Sequence, residues 1–460
     1  MELGFETIGN ATVICHDKRP ILATDPWITD QAYFGSWAQL CEIPDEQLCA
    51  IRQAEFIWFS HGHPDHLNPF SLPQFHRSKI LLPDHVGGRI RDDLVAQGFN
   101  VTILKDRKWV QLSDRIRVFC VSDYNQDAVL LIDVGGTLVI NTNDAGLTGW
   151  ERAVSREVKK FKTTFLMAIA GIGDADMCNF YDSDGHRLLI LPDRDSVQLG
   201  KIISRNTDRL RARYFVPFSS MHQYQREDSV WANAYTPRLE DYAIGYESTA
   251  SEILSPFLRY DCIRERSESI DPQPIQERTL APDSFGDDWS ETLTENNLRH
   301  ATQYFTRIQH LASFLDFVNL RVGGKDNIIE LRTRRFDRGI TFEAPRRSLM
   351  SAISGEIFDD LLIGNFVKTT LIGKWKSGRL YPDFTPYVAK YADNGNARTK
   401  EEIRKYMAIY RNREPFSYLA HRFEQAGIDL ISNAMRPDSP LYSAAQRIYS
   451  LLKFRQITSR

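Results

Sequence analysis

The chain has no apolar run long enough to cross a bilayer, and its start, Met1 to Glu6, has neither the basic region nor the apolar stretch of a signal peptide. The expectation is a cytoplasmic protein without a membrane span. It also has no surplus of positive charge: 57 Lys and Arg face 60 Asp and Glu, a formal net charge of -3. Without a positive field to neutralise phosphates, nucleic acid is not the expected partner. Cysteine is scarce and dispersed. Cys15, Cys41, Cys49, Cys120, Cys178 and Cys262 form no Cys-x-x-Cys pair, which excludes a disulfide framework or a zinc knuckle as the organising device. Neither an internal repeat nor a low-complexity tract is present.

What is there is an ordinary globular composition, 42% hydrophobic and 25% charged, over 460 residues. That length exceeds what one hydrophobic core organises, so two units are expected. Alternating and continuous apolar runs predict strands at Phe5–Ile14, Ile21–Thr24, Phe56–Phe59, Lys79–Leu82, Val101–Leu104, Ile116–Val121, Ala128–Asp133, Thr137–Thr142, Phe165–Ile169 and Tyr214–Pro217. Helical spacing falls at Asp45–Arg52, Val86–Gln97 and Trp150–Lys160. Layered sheets flanked by helices follow from this alternation. The predicted organisation is a catalytic unit over 1–255, a Pro- and Asp-rich crossing segment over 256–295, and a smaller α+β unit over 296–460. In the last unit, helices are expected at Asn297–Leu315, Leu349–Phe358 and through most of Glu401–Lys453, with strands at Leu320–Val322, Asn327–Arg332 and Gly339–Phe342.

The chemistry concentrates in Ser60-His61-Gly62-His63-Pro64-Asp65-His66, directly after the apolar run Phe56–Phe59. His61 and His63 are two apart and can leave a strand end towards one point, while Asp65 and His66 at the next turn can face a neighbouring point. This spacing builds two adjacent metal sites. Packing alone explains it poorly, because the imidazoles and the carboxylate would otherwise crowd together unpaired. The loop Gly171–Asp176 lacks the spacing of a phosphate-binding loop, and Arg332, Arg334 and Arg335 read as a solvated strand face. Tyr124, Tyr224 and Arg226 are candidate substrate contacts in polar loops, where solvated side chains are the commoner case.

The His-x-His-x-Asp-His run resembles the signature of the metallo-β-lactamase superfamily. Its flanks Gly9-Asn10-Ala11-Thr12-Val13 and Ile21–Trp27 are similar to the subgroup of ascorbate-phosphate lactonases, N-acyl-phosphatidylethanolamine phospholipases and CMP-N-acetylneuraminate hydroxylases. The resemblance is fullest to the catalytic part of those hydroxylases, through Asp25-Pro26-Trp27-Ile28, Ile140-Asn141-Thr142-Asn143-Asp144 and Val216-Pro217-Phe218. It implies a four-layer αββα fold, a sterol-carrier-like C-terminal domain, and Asp25 as a carboxylate near the histidines. It further implies Asp144 as the bridging aspartate and His222 as the last ligand. The histidine expected between His85 and His186 is missing; Asp123 has its offset, with Asp127 as a substitute and a plain turn aspartate as the alternative.

Two chemistries follow. In the first, His61, His63 and Asp123 hold one iron, Asp65, His66 and His222 hold the other, and Asp144 bridges them in a dioxygen-dependent hydroxylase or related oxygenase. Its substrate is a small polar molecule of nucleotide-sugar type. A carboxylate in place of a histidine makes the set harder and favours iron or manganese over zinc, although zinc accepts the same ligands. The Cys-x-His and Cys-x-x-His pairs of a Rieske cluster are absent from the sequence, so a separate ferredoxin or flavin reductase is expected as electron donor. In the second, the same ligands lower the pKa of a bridging water for hydrolysis of a phosphodiester, ester, thioester or lactone. The oxidative reading is preferred for Asp123 and the hydroxylase-like flanks.

Overall fold

The structure, a computed structural model, describes residues 1–145, 150–169, 179–188, 198–219, 221–332, 338–375, 379–381, 383–416 and 418–419. The loop Gly171–Asp176, Cys178, Arg334, Arg335 and the expected helical tail beyond 419 lie outside the described residues.

Two sheets form the N-terminal part. The first runs Arg266–Ser269, Leu258–Asp261, Leu3–Ile8, Thr12–Asp17, Arg19–Thr24, Phe56–Trp58, Lys79–Pro83 and Val101–Leu104. The second runs Glu252–Ile253, Tyr214–Phe218, Thr163–Ile169, Thr137–Asn143, Ala128–Val134, Ile116–Ser122 and Trp109–Gln111. Their facing sides share one core, with Phe5, Val13, Leu22 and Trp58 against Val118, Leu130, Phe165 and Val216. On the outer sides, Asp45–Gln53 packs on the first sheet and Leu199–Leu210 on the second, burying Ile51, Ile203 and Leu210. Helix, sheet, sheet, helix is the resulting layer order. The strands Ala128–Val134 and Thr137–Asn143 are buried at every position, so Ala128–Ile132 and Leu138–Ile140 read as unbroken apolar stretches rather than alternating ones.

A third sheet carries the C-terminal unit, in the order Arg187–Leu188, Phe180–Tyr181, Lys368–Ile372, Gly339–Glu343, Phe317–Val322 and Lys325–Glu330. Helices Glu295–Arg307, Arg346–Gly355 and Phe358–Ile363 cover it around Phe305, Phe342, Phe358 and Phe384. The unit boundaries differ from the sequence expectation in two places. Leu258–Asp261 pairs with Leu3–Ile8, so part of the segment 256–295 belongs to the first sheet. Phe180–Tyr181 pairs with Lys368–Ile372, so the N-terminal part contributes strands to the third sheet. The helix expected at Leu349–Phe358 is two helices. Glu356 adopts a left-handed φ of 53°, which ends Arg346–Gly355 before a new helix starts at Phe358. Among the described residues, no helix is long and apolar enough to cross a membrane.

Candidate metal centre

The strand Phe56–Trp58, held between Arg19–Thr24 and Lys79–Pro83 by parallel pairing, delivers Ser60 and the histidines at its C-terminal end. His61 Nε2 and His63 Nδ1 stand 2.9 Å apart and converge on one region. His66 Nε2 lies 3.3 Å from carboxylate oxygens of both Asp65 and Asp144, and His61 Nε2 lies 3.7 Å from the same Asp144 oxygen. His61, His66 and Asp144 therefore form one group able to hold a cation, and His63 forms another with Asp359 and Asp360.

Each of these side chains is braced from behind. Asp25 accepts from the Ser60 amide at 2.7 Å and from Asn143 Nδ2 at 2.7 Å, and its second oxygen lies 3.3 Å from His66 Nδ1. Ser60 Oγ is 2.8 Å from His61 Nδ1. Asn10 Nδ2 donates to Asp65 at 2.9 Å and Tyr33 donates to its other oxygen at 2.6 Å, while Asn10 Oδ1 accepts from the Met221 amide next to His222. Ser219 donates to Asp144. Asp25, Asn143 and Ser219 all have positive φ, 40°, 45° and 64°. Strain of this kind in non-glycine residues persists only where surrounding contacts over-determine it, and it gathers at functional sites.

His222, at the start of the strand His222–Tyr224, stacks on Trp37 with ring centroids 3.3 Å apart. Burial pushes its pKa down to about 4 against the opposing pull of Asp65 and Asp144, which keeps the ring neutral near pH 7. Burial alone would also lower His63, but the hydrogen bond and charge of Asp359, with Asp360 and Asp65, raise it to about 9. In Asp360, burial and the neighbouring Asp359 raise the carboxyl well above its ordinary range.

The missing-histidine loop is placed differently from the expectation. Asp123 uses one oxygen to accept from the amides of Asn125 and Asp127, at 2.8 and 3.0 Å, as a turn aspartate does. Asp127 instead feels the charges of Lys390, Asp144, His63 and His66. Lys390 Nζ, from the turn Tyr387–Asn394, stands 3.9 Å from Asp127. Among the described residues, neither aspartate belongs to the groups of donors close enough to hold a cation.

The three candidate substrate contacts are committed elsewhere. Arg226 is fully buried, pairs with Asp228 and Asp287 at 2.9 and 2.8 Å and lies over the Phe366 ring. Tyr224 accepts from Asn365 Nδ2 at 2.8 Å, and Tyr124 packs with Tyr391 and Tyr406. Their polar neighbours in sequence suggested open loops; the C-terminal unit covers them. Sequence reading missed Asp359, Asp360 and Lys390, all from that unit. The pair Asp359-Asp360 ahead of Leu361-Leu362 has the acidic first turn of a helix, a signal for the helix but not for its neighbour His63.

The donors fit metal ions. His222 Nδ1 is a buried nitrogen without a hydrogen-bond partner, a costly state unless something else engages it, and His66 Nε2 faces carboxylate oxygens of both Asp65 and Asp144. Carboxylate oxygens of Asp65, Asp144 and Asp359 stand against the rings of His66 and His63, and imidazole beside carboxylate is a donor set that metal ions take.

No family model matches the chain. Among curated proteins, the cytidine monophosphate-N-acetylneuraminic acid hydroxylase of Danio rerio is 27% identical over 129 residues, 26% of this chain and 22% of the relative. That of Asterias rubens is 30% identical over 134 residues, 27% of this chain and 20% of the relative. The chain spans about a fifth of the length of the curated relatives it matches. Solved structures similar to this chain include Igni18, a metallo hydrolase from Ignicoccus hospitalis, with TM-score 0.36 and 13% identity over 58% of this chain and 99% of that one. The diiron β-hydroxylase CmlA of Streptomyces venezuelae matches with TM-score 0.31 and 13% identity over 53% of this chain and 47% of that one.

Proposed function

We propose that the protein is a dinuclear metal-dependent oxygenase, with iron at the paired sites and a small polar molecule as substrate. The observation that carries this reading is the carboxylate content of the cluster. Asp65, Asp127 and Asp144 accompany His61, His63, His66 and His222, and the loop expected to hold a further histidine presents aspartates alone. Oxygen donors are harder than imidazoles, and a mixed set with open positions suits iron. In this assignment His61 and His63 would hold one ion with Asp127 in place of Asp123, and Asp359 would stand behind His63 and not on the metal. Asp65, His66 and His222 hold the other, with Asp144 between them.

Two iron ions bound there would supply the activation of dioxygen, and the matched relatives are named hydroxylases. The chain's own residues orient the donors and exclude water: Asn10 and Tyr33 fix both oxygens of Asp65, and Asp25 and Ser60 fix the rings of His66 and His61. Hydroxylation of a C–H bond consumes dioxygen, two electrons and two protons and releases water. A separate ferredoxin or flavin reductase is proposed as the electron source. A cavity of about 70 Å³ opens beside His61, lined by Phe59, His85, Ile90, Arg91 and Asn394. The match covers about a fifth of the relatives' length, so the substrate named for them is not transferred to this chain.

The test is metal analysis of protein produced with limiting iron, zinc or manganese, together with visible spectra before and after exposure of the reduced protein to dioxygen. The expected result is preferential uptake of two iron ions per chain and a spectrum that changes with dioxygen. Preferential zinc uptake, with no spectral response of an iron-loaded sample, would contradict the reading and leave hydrolysis through a metal-bound water.

A further inference from the structure

The histidines of the motif have an inner and an outer ring nitrogen, and the outer ones are accounted for by different parts of the molecule. His61 turns Nε2 inward and Nδ1 towards Ser60 Oγ. His66 turns Nε2 inward towards Asp65 and Asp144 and Nδ1 towards Asp25. His63 alone faces inward through Nδ1, and its outer atom, Nε2, lies 3.1 Å from Asp359 Oδ2. With Nε2 hydrogen-bonded to that oxygen, Nδ1 is the nitrogen left to bind a metal at the centre.

Asp359 is held firmly. Its neighbour Phe358 is fully buried in edge-to-face contact with Phe305 and Phe342, at centroid distances of 5.2 and 5.1 Å. Arg89, from the N-terminal part, donates to the carbonyls of Glu356 at 3.0 Å and of Gly355, which fixes the end of the preceding helix. Arg307 and Arg398 both bind the Glu356 carboxylate. The start of the helix Phe358–Ile363 is thereby locked against the histidine motif across 296 positions of sequence.

We infer that Asp359 of the C-terminal unit is a positioning residue for the metal centre, which fixes the tautomer and orientation of His63 so that Nδ1 binds the metal. The C-terminal unit then completes the centre rather than merely covering it. This inference rests on the reading of His61 and His63 as metal ligands. Partners of this kind behind a ligating histidine raise its basicity and set its ring angle, and their loss typically weakens metal binding about 10–100-fold.

The experiment uses the full chain and zinc alone. In the zinc-loaded wild-type protein labelled with ¹⁵N-histidine, ring ¹H–¹⁵N correlations are expected to show His63 protonated at Nε2 and metal-bound at Nδ1. Chelator competition should show zinc held about 10–100-fold more weakly by Asp359→Ala, with part of the loss recovered in Asp359→Asn, whose amide oxygen still accepts. Metal on His63 Nε2, a proton on Nδ1, or unchanged zinc affinity in Asp359→Ala would overturn the inference while leaving the metal centre standing. Failure of the wild-type protein to bind zinc would overturn the centre itself. Should Asp359→Ala fail to fold, the wild-type ring spectrum decides.

Discussion

At the scale of single residues, the site is a set of donors whose free rotation has been removed by neighbours. His63 is the sharpest case, since both its ring nitrogens are engaged, and His63→Ala should lower bound metal from two ions per chain to one or none. Metal analysis of the purified variant checks this, and two retained ions would refute the assignment. The two aspartates of the missing-histidine loop divide by role. Asp123→Ala removes two amide contacts within the turn and should cost about 1–2 kcal/mol in chemical denaturation while sparing metal content. Asp127→Ala should do the reverse, losing metal with little change in stability. The opposite pattern would restore Asp123 as the ligand. Arg226 belongs to stability: truncation to Ala leaves Asp287 buried beside an absent partner, at a cost of about 3–5 kcal/mol in a denaturant titration. A variant that stays stable and loses only substrate affinity would return Arg226 to the binding site.

At the scale of elements, the strand Leu3–Ile8 carries a pH-dependent tie. Burial would raise the Glu6 carboxyl, but hydrogen bonds from His16, Gln47 and Arg259 outweigh it and hold the group at about 2, against an ordinary 4.5. A folded-state value below the unfolded one adds stability that is present above about pH 4.5 and lost as pH falls towards 2. The contribution is on the order of 3 kcal/mol. Glu6→Gln should flatten the denaturation curve's pH dependence in that window, and an unchanged slope would contradict the pairing. Elements also show where sequence was informative. The buried strands Phe56–Trp58, Ala128–Val134 and Thr137–Asn143 were legible because burial on both faces leaves unbroken apolar stretches within them. The motif residues His61 to His66 were legible because their spacing alone brings them together. Phe180–Tyr181 and Arg187–Leu188 were not, since two-residue strands have no period to detect. Leu349–Phe358 read as one helix because its apolar spacing continues through Glu356, where only the backbone reverses hand. Asp359 and Lys390 escaped for a different reason. Their meaning lies in contacts to His63 and Asp127 from distant sequence, which no local pattern encodes.

At the scale of the whole molecule, the two-sheet N-terminal part supplies the motif and the C-terminal unit packs over it, through Asp359 at His63, Lys390 at Asp127 and Tyr406 donating to the Tyr124 carbonyl. Arg413 binds Asp84 at 3.2 Å on the same side. The two units share the third sheet, so the centre and its cover are built as one piece. The most direct test of the central claim is turnover of a substrate found by screening small polar metabolites, measured with oxygen and reductant supplied or withheld and with ¹⁸O-labelled dioxygen or water. The account predicts that product forms only with both present and carries one oxygen atom from dioxygen. Repeated turnovers without oxygen or reductant, with label entering from water alone, would contradict it.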